Sequence, residues 1–461
     1  MSLLASYLLA AAGSQSSPEN WWVALDNANT SHGFNYMVRI AADSNGNLLV
    51  AGSTDNNTGL GRDNYFIAKL DDTGALQLDR ELDISNNHMF FDDMAVDGND
   101  DVYLTGYYSS NHTTACVKLD SGLTTNDFAI AANLSNKDVK YRAVTTDSSN
   151  EIYLAGRVEE FAFNDEAVGI AKCDPTTGSN DWKRTWAGSQ DNFQAFGICV
   201  HDNSGTDEIF VAAYDDTNNV ERGYLLEYNT SGTLQNQYEY RGQASSSSTT
   251  YKRVNFGTIV SDGTSLYVSF EIDQDVGIVK IDPADGDILW QRNYDTTGQS
   301  GVGFYTACAV TPDGNYVYVV GRGRSGNSTD PDQSGWLAKF ATSDGNLLWQ
   351  RNIFISRTNS ITYLNAVYAT NDNVYIAGMN SAGNNDFVFV AKLPGDGSGT
   401  NTFTGDALTI VYETGTGSAN SMILKKYTSS YSEQASSVSF TNTLTMNNSE
   451  GGIEIDQTNR F

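Results

Sequence analysis

This sequence is poor in the residues that stiffen a chain or arm it chemically. Only 6 of its 461 residues are proline, 4 are histidine and 4 are cysteine. With so little proline, the turns fall to Gly, Asn and Asp, and 42 glycines are present to make them. The cysteines, Cys116, Cys173, Cys199 and Cys308, form no C-x-x-C pair and sit among apolar neighbours such as Gly197, Ile198 and Val200. They read as small buried hydrophobes rather than metal ligands or disulfide partners. The histidines, His32, His88, His112 and His201, include no pair at metal-ligand spacing and no H-E-x-x-H. All four lie in polar stretches and are expected in solvated loops. No G-x-S-x-G occurs either. Basic charge is scarce, with 27 Lys and Arg against 56 Asp and Glu and a net charge of −29. That excludes a phosphate-reading surface for nucleic acid and electrostatic attraction to anionic membranes. No apolar run is long enough to span a bilayer. No Lys or Arg precedes Arg39, so the basic region of a signal peptide is lacking.

What the chain does hold is a repeat. One phrase runs from an Asp through a turn to an aromatic, aliphatic residues and Gly. It appears at 43–52 (DSNGNLLVAG), 97–106 (DGNDDVYLTG), 147–156 (DSSNEIYLAG), 313–321 (DGNYVYVVG) and 371–378 (NDNVYIAG), with weaker copies at 209–213 (IFVAA) and 266–270 (LYVSF). A second phrase follows each copy: an apolar pair, usually Ala-Lys, an apolar residue and often Asp. Its key position is Lys69, Lys118, Lys172, Glu227, Lys280, Lys339 and Lys392, at intervals of 49 to 59 residues. Seven copies at that period announce a repeat architecture. Each unit resolves into four short strands joined by Asp/Asn/Gly turns. The fourth often carries Trp, as in 288–292 (ILWQR) and 347–351 (LLWQR). Four such strands make one propeller blade, so the fold expected is an all-β, seven-bladed β-propeller over residues 20–393.

The seventh repeat has no Trp strand after Leu393. An orphan segment at 20–25 (NWWVAL) precedes the first repeat and resembles a fourth strand. Trp21, Trp22 and Val23 are therefore assigned to closing the seventh blade, which removes exposed edges. Residues 1–19 are read as an attachment segment. Leu4, Tyr7, Leu8 and Ala11 follow i, i+3, i+4, i+7 spacing and predict a short amphipathic helix there. Residues 394–403 read as a linker, and 404–461 as a small C-terminal β-rich module that packs on the propeller, a partner or copies of itself.

Few residues suggest chemistry. Asp-rich turns such as 282–287 (DPADGD) lack the spacing of a calcium loop and read as Asx turns. No cofactor is expected. The recurring Lys reads as structural, its stem beside a strand and its charge on a turn Asp or in water. Trp182 falls where fourth-strand aromatics recur and reads as structural; Trp186 is less constrained and is the one candidate for stacking on a ligand.

The unit D-x-x-G-N-h-Y-h-A-G … h-A-K-h-D-x-x-G-x-h-x-W resembles bacterial and viral β-propeller repeat proteins, over roughly residues 20–393. The opening MSLLASYLLAAAG, the propeller and the Ser/Thr-rich tail after Pro394 together resemble virion structural proteins of marine bacteriophages. That resemblance implies a tail- or fibre-associated virion component without enzymatic activity. Its partners would be other virion proteins, copies of itself (a trimer, by analogy with fibres) and a host surface glycan or protein. A secreted polysaccharide-binding propeller and a capsid-decorating protein are the alternatives; a propeller enzyme fits worst, given so few acid–base groups. The fourth and fifth repeats lack the phrase's Gly, and the fourth replaces Lys with Glu227. Those two blades are expected to make specialised contacts.

Overall fold

The computed structural model describes residues 20–460 apart from 28–32, 56–63, 84–87, 109–112, 125, 135–136, 160–165, 188–191, 216–220, 244–250, 274, 296–305, 324–333, 356–360, 382–386, 399–400, 405–408, 415–417, 420–422, 429–431, 436–438, 442–446 and 450–452. The helix anticipated around Leu4, Tyr7, Leu8 and Ala11 lies outside the described residues.

Seven antiparallel sheets stand around an axis as a β-propeller. Listed from the axis outward, blade 1 is Gly33–Ala42, Leu48–Asp55, Asn64–Leu70 and Leu76–Asp83. Blade 2 is Met89–Val96, Val102–Tyr108, Thr113–Leu119 and Asn126–Asn133, and blade 3 is Val139–Thr146, Ile152–Val158, Ala167–Cys173 and Asn180–Ala187. Blade 4 is Phe193–Asp202, Asp207–Asp215, Arg222–Asn229 and Leu234–Gln243, with a short extra strand, Tyr251–Lys252. Blade 5 is Val254–Ser261, Leu266–Ile272, Asp275–Ile281 and Ile288–Asp295. Blade 6 is Ala307–Val310, Tyr316–Gly323, Ser334–Ala341 and Leu347–Ile355, and blade 7 is Ile361–Ala369, Asn373–Ser381, Phe387–Pro394 and the N-terminal strand Trp21–Asn27. Each innermost strand touches the next, and that of blade 7 touches that of blade 1, so the ring is closed.

The middle strands read as unbroken apolar runs because both faces of each sheet are covered by neighbouring blades. Thr113–Leu119, for example, is buried at every position. The closing strand shows the alternation most clearly. Trp21, Val23 and Leu25 join the core shared with blade 1, while Trp22 and Ala24 join the core shared with blade 6, and none of the five is more than 1% exposed. Its ladder to Phe387–Pro394 runs from Trp21↔Lys392 to Leu25↔Val388.

Neighbouring blades are riveted by the repeat residues themselves. Four of the fourth-strand Trp residues lie over the turn glycine of the next blade: Trp21 on Gly74, Trp182 on Gly232, Trp290 on Gly345 and Trp349 on Gly397. A Cβ on any of these glycines would come within 2.8 Å of the ring, and each has positive φ. The indole N–H donates into the same turn region, to the carbonyls of Asp72, Thr230, Thr342 and Gly395 at 2.8–3.2 Å. Two residues on, Arg184 and Arg292 donate to Gly232 and Asp344 carbonyls at 2.9 and 2.6 Å. In five blades the recurring Lys lies over the second-strand Tyr at 5.3–5.9 Å, as Lys118 on Tyr103 and Lys339 on Tyr318.

Of the three packings anticipated for the C-terminal β-rich module, the tail takes the first: its strands lie on the propeller. After a first hairpin of Asn401–Thr404 with Thr409–Thr414, no two tail strands pair with each other among the described residues. They add, one per blade, to the outer edges instead: Thr409–Thr414 on blade 6, Ser418–Ala419 on 5, Ile423–Thr428 on 4, Ser432–Ala435 on 3, Ser439–Thr441 on 2, Asn447–Ser449 on 1 and Ile453–Arg460 on the N-terminal strand of blade 7. The tail is a belt that makes one full circuit against the chain order of the blades. The reason is energetic. Fifty-odd residues bury too little to form a core of their own, whereas seven outer strands each present a row of unpaired backbone groups.

The belt has its own pitch. At the fourth-strand position facing the residue four before the repeat Lys (Ile353, Tyr294, Tyr240, Trp186, Ala132, Leu82, Leu25), the belt partners are Tyr412, Ala419, Lys426, Glu433, Phe440, Asn448 and Ile455. Each blade consumes seven residues, once eight. Two residues before each partner stand Ile410, Gly417, Leu424, Tyr431, Val438, Met446 and Ile453. Leu424 is buried among Leu225, Val254 and Phe256 between blades 4 and 5. Its backbone N–H and C=O both bond the Gln291 amide, at 2.6 and 3.2 Å.

Candidate functional site

The first-to-second and third-to-fourth strand turns fall at one end of every blade, and this end is committed to structure. Asp43, Asp97 and Asp147 each accept two backbone N–H groups of their own turn at 2.8–3.0 Å, closing Asx turns. Tyr103 and Tyr153 donate to the second oxygens of Asp97 and Asp147 at 3.0 and 2.9 Å. Among the described residues no group of three His, Cys, Asp or Glu is placed to hold a metal ion.

The channel side differs. Six of the seven innermost strands shift register against their second strand: at Phe34/Val38, Phe91/Asp93, Tyr141/Ala143, Ala195/Gly197, Phe256/Ile259 and Leu364/Ala366. A bulge re-aims side chains and brings two backbones close. The phrase-ending glycines lie beside these shifts. A Cβ on Gly106, Gly156 or Gly378 would sit 1.9–2.0 Å from the carbonyl oxygen of Phe90, Lys140 or Tyr363. Blade 5 has Phe270 in place of that glycine and a wider bulge carrying Gly257 on the facing strand.

Structure thus repeats at this level, but chemistry does not. The bulge residues are Asp92, Arg142, Phe196, Gly257 with Thr258, and Asn365. In the sector of blades 1–3 they join an ionic network. Arg39 Nε donates to Asp93 Oδ1 at 2.9 Å, its Nη1 donates to the Asn365 carbonyl at 3.2 Å, and Asp93 Oδ2 accepts the Val144 N–H at 3.0 Å. Arg157 bridges Asp138 and Glu166 at 2.8 and 2.5 Å, and Lys140 reaches Asp138 at 3.1 Å. Burial pushes the Asp92 carboxyl up to about 6, against the pull of Arg142 and Arg39. The Arg142 guanidinium lies 4.8 Å from the Phe196 ring, which stacks on Tyr214 at 5.6 Å.

Beyond Phe196 the channel wall opens into a cleft of about 230 Å³ including its open mouth. It is lined by Phe196 and Tyr214 of blade 4, by Asn255, Phe256, Gly257 and Glu271 of blade 5, and by Thr306. Asn255 and Glu271 face each other across the two inner strands of blade 5. Both are buried, at 9% and 8% exposed, and Asn255 Oδ1 and Glu271 Oε2 have no hydrogen-bond partner. Burial, reinforced by Glu221 and Asp275, pushes the Glu271 carboxyl up to about 8, with Arg253 opposing. Blades 4 and 5 are those whose repeats lack the glycine.

Trp186, the sequence candidate for ligand stacking, is corrected: it is fully buried, edge-on to Phe193 and Tyr224 at 4.9 and 5.1 Å, with its N–H on Gln237 Oε1 at 2.8 Å. Trp21, Trp22 and Val23 lie in blade 7, remote from any open surface. His201 also departs from the expected solvated loop. It is 3% exposed, and its Nδ1 bonds Ser261 Oγ at 2.8 Å. The four cysteines are free and buried. Sequence reasoning missed Asn255 and Glu271, because an Asn and a Glu in two adjacent strands carry no motif.

Comparison with known proteins yields fold-level likeness. A family described as outer membrane protein assembly factor BamB matches residues 164–392, just under half of the chain, from blade 3 to the third strand of blade 7. No curated protein matches. Among solved structures, the polysaccharide lyase Uly1 is similar at 10% identity over 84% of this chain and 94% of that one, with a TM-score of 0.44. A putative 6-phosphogluconolactonase from Bacteroides uniformis is similar at 11% identity over 83% and 99%, with a TM-score of 0.43. The propeller domain of the Trilobed protease from Pyrococcus furiosus, described as having an open velcro topology, is similar at 10% identity over 79% and 98%, with a TM-score of 0.42.

Proposed function

We propose that this protein is a non-enzymatic interaction module whose recognition surface is the channel mouth, centred on blades 4 and 5. The observation that supports this reading is the bulge level. Six strands share one backbone device there, yet the side chains it presents are acidic, basic, aromatic and amide in turn. A repeat that keeps its rivets, Asx turns and Tyr–Lys pairs while varying its channel residues behaves as a scaffold carrying a site. The elements support rigidity as well: a closed ring, belted at its edge, holds a binding surface with little reorganisation on contact.

The resemblance of the sequence carries the finer reading: a phage virion component, tail- or fibre-associated, with the propeller facing outward toward a host surface glycan or protein and copies of itself as neighbours. Secretion as a polysaccharide-binding propeller is the alternative. Two measurements test these levels separately. Glycan and peptide arrays probed with the full chain should give binding that Arg142→Ala/Phe196→Ala loses at least tenfold; equal binding by that variant sinks the channel-mouth reading. Peptide mass spectrometry should find the chain in purified particles at fixed stoichiometry; recovery only from the culture medium sinks the virion reading.

A further inference from the structure

Two features of the blade 4–5 cleft belong together. Its enclosed part has room for about one water-sized group. Glu271 and Asn255 line it, and Glu271 Oε2 and Asn255 Oδ1 are buried acceptors without a hydrogen-bond partner. A hydrogen bond left unmade at a buried polar atom is costly, and two such acceptors side by side on the wall of one cleft call for a donor. The occupant must be small, must donate hydrogen bonds and must tolerate the aromatic rings of Phe196 and Phe256. Thr306 Oγ1, which donates weakly to Ser269 Oγ at 3.3 Å, keeps lone pairs for a further donor.

The surrounding charge selects among donors. Glu221, Asp273 and Asp275 stand around Glu271, with Arg253 as the opposing charge. Arg253 is half exposed and leans on Glu221 at 3.5 Å, while Lys252 pairs with Asp273. On the far side, the Arg142 guanidinium of blade 3 lies over the Phe196 ring, and Arg222 of blade 4 is turned toward Asp215 and Glu239. The field at the cleft favours a positive charge. A guanidinium, planar with five N–H groups, and a sugar ring are both larger than the enclosed space; an ammonium group is the size of a water and carries three donors.

Resting on the channel-mouth reading, we infer that this cleft receives one primary ammonium group, the head of a lysine side chain presented by a protein partner, with Glu271 and Asn255 as its acceptors and the aromatic wall beside its stem. Entry of the cation ionises Glu271 and releases its proton, so binding strengthens as pH rises toward 9, where lysine itself is still charged. The cleft then reads a single lysine as a pH-dependent contact.

The test uses the full chain, 15N-labelled at asparagine, with the Asn255 side-chain signal identified by its loss in Asn255→Ser. The probe is N-acetyl-lysine-N-methylamide, with the norleucine analogue and methyl glucoside as controls. The Asn255 signal should move and saturate with the lysine probe alone, at least fivefold more tightly at pH 9 than at pH 6.5. Glu271→Gln should weaken this at least tenfold and flatten the pH dependence. No movement, equal movement with either control, or an unchanged Glu271→Gln response overturns the assignment. Array binding that persists in Glu271→Gln removes the lysine site and leaves the channel-mouth reading standing.

Discussion

The ring and the belt are built from one chain on two different periods. A blade takes 49 to 59 residues because it must fold four strands back and forth. A belt step takes seven or eight because it must only reach the next outer edge. An extended chain covers about 3.3–3.6 Å per residue, so seven residues span about 23–25 Å. The belt's period is therefore imposed from outside, by the spacing of edges it did not make. The ring carries its own cores, and at four junctions a Trp of one blade is riveted onto a glycine turn of the next. The belt has none of these and borrows its ladder from the blades. The lesson is one of hierarchy: the ring supplies the template, and the belt supplies edge protection.

That ordering can be broken at either end. Deleting residues 20–25 should have the largest effect, since it removes Trp21 and Trp22 from two inter-blade cores at once. At about 3–5 kcal/mol for each buried Trp, the loss is on the order of a domain's whole stability. A thermal melt should show the entire ring destabilised; a variant melting with the parent would mean blade 7 closes without this strand. Truncation at residue 400 should do less. The ring should keep its β circular dichroism, melt several degrees lower and self-associate through its bared outer strands, seen by analytical ultracentrifugation. Loss of the ring's circular dichroism on truncation would invert the hierarchy. Gln291→Ala should do least. It removes the side chain that bonds Leu424 from both sides, and about 1–2 kcal/mol is expected. Hydrogen exchange should show the effect confined to 423–428 and its blade 4 partner strand.

The two regions also differ in how far they could be read in advance. Blade number, strand order within each blade and the residues that close the ring follow from a period that repeats in both hydrophobicity and turn chemistry. The Tyr of the second strand and the Lys of the third were visible as a pattern, but their partnership was not, since it joins residues of neighbouring strands. The belt escaped notice for a different reason. Its apolar residues at 410, 424, 431, 438, 446 and 453 recur at about a heptad, but they stand alone among Ser, Thr and Asn and form no amphipathic run. Only the outer edges turn that spacing into a signal. The proposed site was half legible. Loss of the phrase glycine in repeats four and five marked the sector, because that glycine answers to the bulge. The residues proposed to act there, Asn255 and Glu271, are ordinary strand residues until the chain is folded. Trp186 misled for the converse reason: an aromatic without a repeat partner reads as free, and the core of blades 3 and 4 had taken it.

By itself the sequence determined the propeller. Repeated turns, repeated apolar strands and repeated Trp–Gly complementarity are local facts, and each copy encodes the same geometry. The tertiary structure decided what depends on distance between copies. It laid a tail too small to fold alone along seven unpaired edges, and it buried Asn255 Oδ1 and Glu271 Oε2 without partners in the wall of one cleft.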